Sequence, residues 1–234
     1  MYKIIADLHV HSVASGHAAD TIRVLCESAV QRGLDGIAIT DHGPGVPGGA
    51  NKIYFRTLKR LTRGIKTPLR IIAGIEEDIK NRKGDLMIPL EFLKNLEIVM
   101  AGCHPFTWIA DQSVAVRTDA LINAIVKNKI QVVSHPVGSG YEINLEAVID
   151  ACVASKVALE FNASKVNDIN ESVSFLERCA LNAVSIVVGS DAHVAEEVGD
   201  FSRALPLLKK MKFPEGLIIN RSKEAIASFF NIEW

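Results

Sequence analysis

Seven short apolar runs divide the chain, at 3–8, 36–40, 70–75, 98–102, 131–134, 158–162 and 185–189. Most are continuously apolar rather than alternating, the pattern of parallel strands covered on both faces. Helical periodicity fills the gaps. The segment 21–32 carries Ile22, Leu25, Ala29 and Val30 on one side and stops at Gly33. Further helices are expected at about 52–66, 118–128, 145–156, 171–182 and 201–211, with a last one near 222–230. Asp20 and Asn144 are placed as N-caps and Asn128 as a C-terminal stop. Regular alternation of strand and helix predicts an α/β fold on a parallel sheet, either closed or doubly wound.

All seven histidines, His9, His11, His17, His42, His104, His135 and His193, lie at or just past the C-terminal ends of apolar runs, and Glu76 and Asp191 hold equivalent places. Strand C-termini are where an α/β barrel gathers its active site. Ligand-type side chains after six of seven runs favour closure, because an open sheet would scatter them. The expected fold is therefore a single-domain barrel of seven βα units over residues 1–234.

His9 and His11 stand at i and i+2 of a strand and project together, as half of a tetrahedral zinc site would require. Asp7 shares that face at greater depth and is expected to orient an imidazole. Asp191 and His193 repeat the spacing. In Thr40-Asp41-His42 the histidine and the aspartate fall on opposite faces. Glu76 can bridge two cations, which a neutral imidazole cannot, and Glu77 should face away. In His104-Pro105 and His135-Pro136 the proline is expected to hold each histidine extended at the strand tip. Nine such groups in one barrel mouth would repel and desolvate one another without cations. The chain thus reads as a multinuclear metallohydrolase. Imidazole with carboxylate suits zinc, and also manganese or iron.

Composition narrows this further. The 234 residues are 48% apolar with a net charge of −1, enough for one large core and unlike a dedicated nucleic-acid or membrane-surface protein. Four scattered cysteines and the absence of an apolar leader in MYKIIADLHVHS point to the cytoplasm. Lys52 and Arg56 head a basic stripe (Lys59, Arg60, Arg63, Lys66, Arg70) opposite Ile53, Leu58, Leu61 and Ile65. The stripe is a solvated helix face whose first two members could lean over the mouth, and Arg82 and Lys165 are similar candidates for substrate phosphate. Gly43-x-Gly45-x-x-Gly48 formally matches a dinucleotide loop, but Pro44 and Pro47 remove the amides it would need. Cys26 and Arg32 have cysteine-phosphatase spacing but fall within a helix.

Asp7-x-His9-x-His11, Thr40-Asp41-His42-Gly43, Gly74-Ile75-Glu76, Ala101-Gly102-x-His104, Ser134-His135-Pro136 and Gly189-Ser190-Asp191-x-His193 together resemble the PHP (polymerase and histidinol phosphatase) domain family. The match runs in order from residue 7 to 193 and is nearest to the small stand-alone bacterial phosphatases of that family. The resemblance implies a distorted (β/α)7 barrel and three divalent cations. His9, His11, Glu76 and Asp191 would hold the first, Glu76, His104 and His135 the second, and His17, His42 and His193 the third. It further implies hydrolysis of a small phosphate monoester by a hydroxide bridging two cations, with Asp191 or Asp41 as candidate acids. A phosphodiesterase or 3′→5′ exonuclease is the alternative, though no basic and aromatic single-strand channel is evident. An amidohydrolase would need a bridging lysine that no run supplies. A non-catalytic metal-binding module would be expected to lack ligands. No membrane or nucleic-acid partner is expected, and the sequence leaves a homo-oligomer open.

Overall fold

The computed structural model describes residues 2–127 and 130–234. Its strands are β1 (Ala6–Val10), β2 (Gly36–Ile39), β3 (Arg70–Asp78), β4 (Ile98–Gly102), β5 (Val132–Val133), β6 (Ala158–Asn162) and β7 (Ile186–Gly189). The helices are α1 (Ile22–Gln31), α2 (Lys52–Arg63), α3 (Leu90–Leu93), α4 (Val114–Lys127), α5 (Leu145–Ser155), α6 (Ile169–Leu181), α7 (Ala204–Met211) and α8 (Lys223–Phe230). All strand pairs are parallel and follow chain order from β1 to β7. This is the expected seven-stranded α/β barrel, nearly closed.

Two apolar layers follow from the strands' period of two. Ile37, Ile39, Ile71, Ala73 and Ile75 face outward into the layer shared with the helices. Ala6, Leu8, Ala38, Ile72, Ile98, Met100, Val132, Ala158 and Val187 face inward, and Ile219, Ile226 and Phe230 plug the barrel floor beneath them. Burial on both sides explains why the runs read as continuously apolar.

The seam between β1 and β7 is the weak point of closure. Near the mouth, Asp191 N–H donates to the His9 carbonyl (3.0 Å) and His11 N–H to the Ala192 carbonyl (2.9 Å). Near the floor the strands part, and buried Asn220 fills the gap. Its amide NH2 donates to the carbonyls of Ala6 (2.9 Å) and Val188 (2.7 Å), and its oxygen accepts from Val188 N–H (3.0 Å). Asn220→Ala would leave three buried backbone groups unpaired. It is expected to cost about 2–4 kcal/mol, read as a lowered midpoint in urea; a change below about 0.5 kcal/mol would show that the seam does not need it.

Local departures have local causes. Thr21, not Asp20, caps α1, its hydroxyl accepting from Val24 N–H, while the Asp20 carboxylate is spent on Ala195 N–H. Asn144 caps α5 as expected. The expected stop at Asn128 lies outside the described residues. On α2 the buried face is Phe55, Leu58 and Thr62, leaving Ile53 and Leu61 exposed. Two members of the basic stripe are not free: Lys59 and Arg70 both pair with the buried carboxylate of Glu97. The four cysteines are buried and unpaired. Among the described residues no helix is long and apolar enough to cross a membrane.

Candidate metal centre

The strand C-termini surround a cavity of about 360 Å³ lined by His17, His42, Glu76, His104, His135, Lys165, Asp191 and His193. His9 and His11 lie fully buried at its base. How they arrive there is not a matter of simple alternation. Leu8 points into the barrel, so a regular strand would send His9 outward. The β1–β2 register instead shifts between Asp7 and Val10. This bulge turns His9 and His11 inward and Val10 out to the helix layer. Val10 N–H, freed from the ladder, donates to the Thr40 hydroxyl (3.0 Å).

The same bulge overturns the expected role of Asp7. Its carboxylate meets no imidazole; it accepts from Ser190 and from the Gly199 N–H (2.8 Å), tying the β1 end to the segment after β7. The imidazoles are oriented by residues that the sequence reading missed. His9 Nδ1–H donates to Glu160 Oε1 and His104 Nδ1–H to Asp78 Oδ1, both at 2.7 Å. Glu160 also accepts from His135 N–H (2.8 Å). A signal for both acids was present: Asp78 is two residues beyond Glu76 on β3, and Glu160 is a lone acid inside an apolar run.

Ligand positions are also set by a void. Gly102 and Gly189 stand two residues before His104 and Asp191 on the inward face. A Cβ at Gly189 would come within 2.1 Å of Glu160 Oε1, and one at Gly102 within 2.3 Å of Ser134 Oγ. Two ligand-type residues take the left-handed backbone region, His135 (φ 28°) and Asp191 (φ 58°). His135 is therefore not extended, despite Pro136. Its positive φ aims the ring into the mouth from a strand of only two residues, strain of the kind found at functional sites.

Around Glu76 the nitrogens converge. Oε2 lies 3.1 Å from His9 Nε2, 3.4 Å from His11 Nε2 and 3.2 Å from His42 Nδ1. Oε1 lies 2.9 Å from both His104 Nε2 and His135 Nε2. Asp191 Oδ1 is 3.2 Å from His11 Nε2 and 3.6 Å from His9 Nε2. Further out, His17 Nε2 and His193 Nε2 are 3.0 Å apart, and the His193 Nδ1–H donates to the Asp191 carbonyl (2.9 Å). His11 stacks on His42 and on His193, each at 4.4 Å between ring centres.

These contacts do not add up to a satisfied hydrogen-bond network. Both oxygens of Glu76 and the Nδ1 atoms of His42 and His135 are buried without a hydrogen-bond partner. His9 and His104 commit their Nδ1 protons to carboxylates, so in the neutral rings Nε2 offers a lone pair toward Glu76. His9 and His11 Nε2 sit 3.0 Å apart, and His104 and His135 Nε2 3.2 Å apart. Lone pairs aimed at one another and at a carboxylate fit divalent cations between them. Three overlapping groups have that geometry: His9, His11 and Glu76; His42, Glu76 and His104; and His11, His42 and His193.

Without cations, charge must be balanced by protons. Burial alone would lower the His9 pKa, but Glu160, Glu76 and Asp191 around it raise it well above its ordinary value. Burial likewise opposes protonation of His104, yet Glu76 and Asp78 push it up to about 10. Burial would raise the Asp191 pKa, but His9 and His11 beside it hold its carboxyl well below the usual range.

The remaining expectations divide. Lys165 reaches the cavity, its Nζ 3.2 Å from Asp191 Oδ2. Lys52, Arg56 and Arg82 do not line it. Lys52 lies over the Phe92 ring, Arg56 is exposed on α2, and Arg82 pairs with Asp119 on α4. Asp41 is also corrected: its carboxylate points away from the cavity into hydrogen bonds with Ser12, Ser15 and Tyr54. Glu77 faces away as expected and accepts from the backbone of Ile88 and Asp78.

A family model described as the PHP domain matches residues 7–219. A protein named probable phosphatase from Caldanaerobacter subterraneus is 35% identical over 232 residues, covering 97% of this chain and 91% of that protein. Its counterpart in Shewanella oneidensis is 36% identical over 232 residues, with 97% and 91% covered. Among solved structures, histidinol phosphate phosphatase from Lactococcus lactis, complexed with zinc, L-histidinol and phosphate, superposes with a TM-score of 0.63 at 20% identity, covering 89% of this chain and 94% of that one. A chain of archaeal ribonuclease P with mature tRNA gives 0.58 at 10% identity, with 96% and 90% covered. At these identities the two structures share the fold alone.

Proposed function

The chain belongs to the PHP domain family, and from that premise we propose that it is a metal-dependent phosphomonoesterase built on a trinuclear centre. One observation carries the reading: a fully buried carboxylate, Glu76, neither of whose oxygens has a hydrogen-bond partner although five imidazole nitrogens crowd around them. His9, His11, Glu76 and Asp191 would hold the first cation, Glu76, His104 and His135 the second, and His17, His42 and His193 the third. Bound divalent cations supply Lewis acidity toward phosphoryl oxygens and lower the pKa of water toward neutrality. Zinc suits this donor set, and the Lactococcus lactis relative of the same fold carries zinc with a phosphate. The curated relatives named probable phosphatase support the reaction class.

The chain's own residues position the ester. Lys165, half-exposed beside Asp191, offers the one ammonium group that lines the cavity among the described residues to a phosphoryl oxygen. Glu160 and Asp78 hold His9 and His104 in the tautomer that faces the reacting group. A neighbouring cavity of about 580 Å³ shares Gly138, Ser139, Tyr141 and Asn167 with the metal cavity and gives the alcohol half of an ester room. A small phosphorylated substrate in the cytoplasm fits these dimensions and the unpaired thiols.

Lys165→Ala is expected to lower kcat/KM by about 10- to 100-fold, the value of a charge-assisted hydrogen bond. Lys52→Ala with Arg56→Ala should leave it within about twofold, since neither lines the cavity; a loss equal to that of Lys165→Ala would put the substrate elsewhere. The reading itself is tested by comparing p-nitrophenyl phosphate with bis(p-nitrophenyl) phosphate on zinc-loaded and chelated protein. Chelator-sensitive turnover favouring the monoester is expected. Preference for the diester would make it a phosphodiesterase, and no turnover of either would refute the reading.

A further inference from the structure

We propose that Ser15 is a positioning residue of the metal centre, the inner end of a hydrogen-bonded chain, Tyr54–Asp41–Ser15, that fixes the tautomer of His11 and the place of His42. The inference rests on the metal-dependent reading given above, and its geometry is independent of the reaction.

A count of protons gives the direction of the chain. Asp41 Oδ1 accepts from the Ser12 N–H (2.6 Å) and the Ser15 hydroxyl (2.7 Å). Its Oδ2 accepts from the Ser12 hydroxyl (2.8 Å) and the Tyr54 hydroxyl. Ser15 has one proton and gives it to Asp41, so toward its other neighbours it can only accept. Those neighbours are His11 Nδ1 (3.0 Å) and the His42 backbone N–H (3.1 Å). His11 therefore carries its proton on Nδ1 and turns the Nε2 lone pair toward Glu76 and Asp191. The opposite tautomer would set two acceptors against each other at the Ser15 contact.

This support differs from that of the other rings. His9 and His104 rest directly on carboxylates. His11, between His42 and His193 in the stack, rests on a neutral hydroxyl with the carboxylate one hydrogen bond further back. Ser15 also ends the short 3-10 turn Val13–Ser15, whose next residues run through Gly16 (φ 81°) to His17. A Cβ at Gly16 would strike Gly48 O at 2.4 Å, so the turn is seated against the Gly43–Gly49 loop. One hydroxyl thus joins His11, His42 and the turn that carries His17, and Tyr54 anchors it to α2.

The test uses full-length protein with zinc as the probe. Long-range 1H–15N spectra of the histidine rings in unaltered, chelated protein are expected to show His11 as a single Nδ1–H tautomer. Ser15→Ala is expected to mix the two tautomers and to weaken zinc binding by about 10- to 100-fold in competition with a chromophoric chelator, read at a temperature where the chelated variant is still folded, because its lost hydrogen bonds to Asp41 and His42 lower the melting temperature of the chelated form. Tyr54→Phe, at the half-buried outer end, should weaken zinc binding by about three- to tenfold, and it serves should Ser15→Ala fail to fold. A His11 proton on Nε2 in the unaltered protein, or wild-type zinc affinity in either variant, overturns the proposal. Absence of ester hydrolysis by the unaltered zinc-loaded protein would instead refute the phosphatase reading and leave the ring and zinc measurements decisive here.

Discussion

Glu76→Gln protein is expected to lose at least about three orders of magnitude in phosphate ester turnover, and cation content with it. The side chain is fully buried on β3 and isosteric with its replacement, so the backbone has no reason to move. What changes is the donor set. Oε1 faces His104 and His135, Oε2 faces His9, His11 and His42, and no other carboxylate among the described residues spans both groups. An amide removes the negative charge that offsets cations held otherwise by neutral imidazoles. It also places an NH2 where a lone pair is required. Steady-state turnover and metal analysis check this, with the melting temperature of the chelated variant as the control for folding. Wild-type turnover in Glu76→Gln would mean that the cations, or the chemistry, lie elsewhere.

The second large effect is that of removing the cations, and it has a pH signature. Chelated protein must balance Glu76 and Asp191 with imidazolium. His104 has its folded pKa raised from 6.5 to about 10 by Glu76 and Asp78 against the cost of burial, and His9 is raised likewise by Glu160, Glu76 and Asp191. A group with a raised folded pKa stabilises fully below its unfolded value and stops doing so as pH rises through its folded value. The chelated protein should therefore lose stability between about pH 6.5 and 10, by an amount on the order of a few kcal/mol. Glu76 and Asp191 are depressed by His104, His9 and their neighbours, so their contribution is present above pH 4.5 and is lost only in strong acid. Zinc-loaded protein should show no such alkaline loss, since protons no longer balance the site, and saturation at a thousandfold excess over Kd adds about 4 kcal/mol. Melting curves with and without chelator at pH 6 and pH 9 decide the matter. Coincident loaded and chelated curves would show that no cation is bound, and a chelated midpoint identical at both pH values would show that protons do not substitute for it.

Most of the barrel was legible because parallel strands covered on both faces leave continuous apolar runs. β4 (Ile98–Gly102) and β6 (Ala158–Asn162) fall where the pattern puts them. β3 runs on to Asp78 because Glu76, Glu77 and Asp78 pair with Met100, Ala101 and Gly102, and three successive acids give no strand signal. The candidate metal ligands were legible as a set because histidine and acid recur at strand ends, and the fold brings them around one cavity. Their supporters were not. Asp7 looked like a partner for an imidazole because period-two alternation puts it below His9, and the bulge in β1 cancels that alternation. Lys52, Arg56 and Arg82 had the right charge, but where a long side chain ends depends on what it meets, here Phe92 for Lys52 and Asp119 for Arg82.

The sequence by itself determined the parallel α/β architecture, the side of the barrel that carries chemistry, and the nine ligand-type groups. Each of these follows from local periodicity or residue type at a strand end. Only the tertiary structure decided which atoms face one another. It turned His9 inward through a bulge and His135 through a positive φ, set Glu160, Asp78 and Ser15 behind the rings, and took Asp41 out of the cavity. Those outcomes depend on hydrogen bonds between groups such as Ser15 and Asp41, or His9 and Glu160, that are 26 and 151 residues apart in sequence, and no local pattern encodes such a pairing.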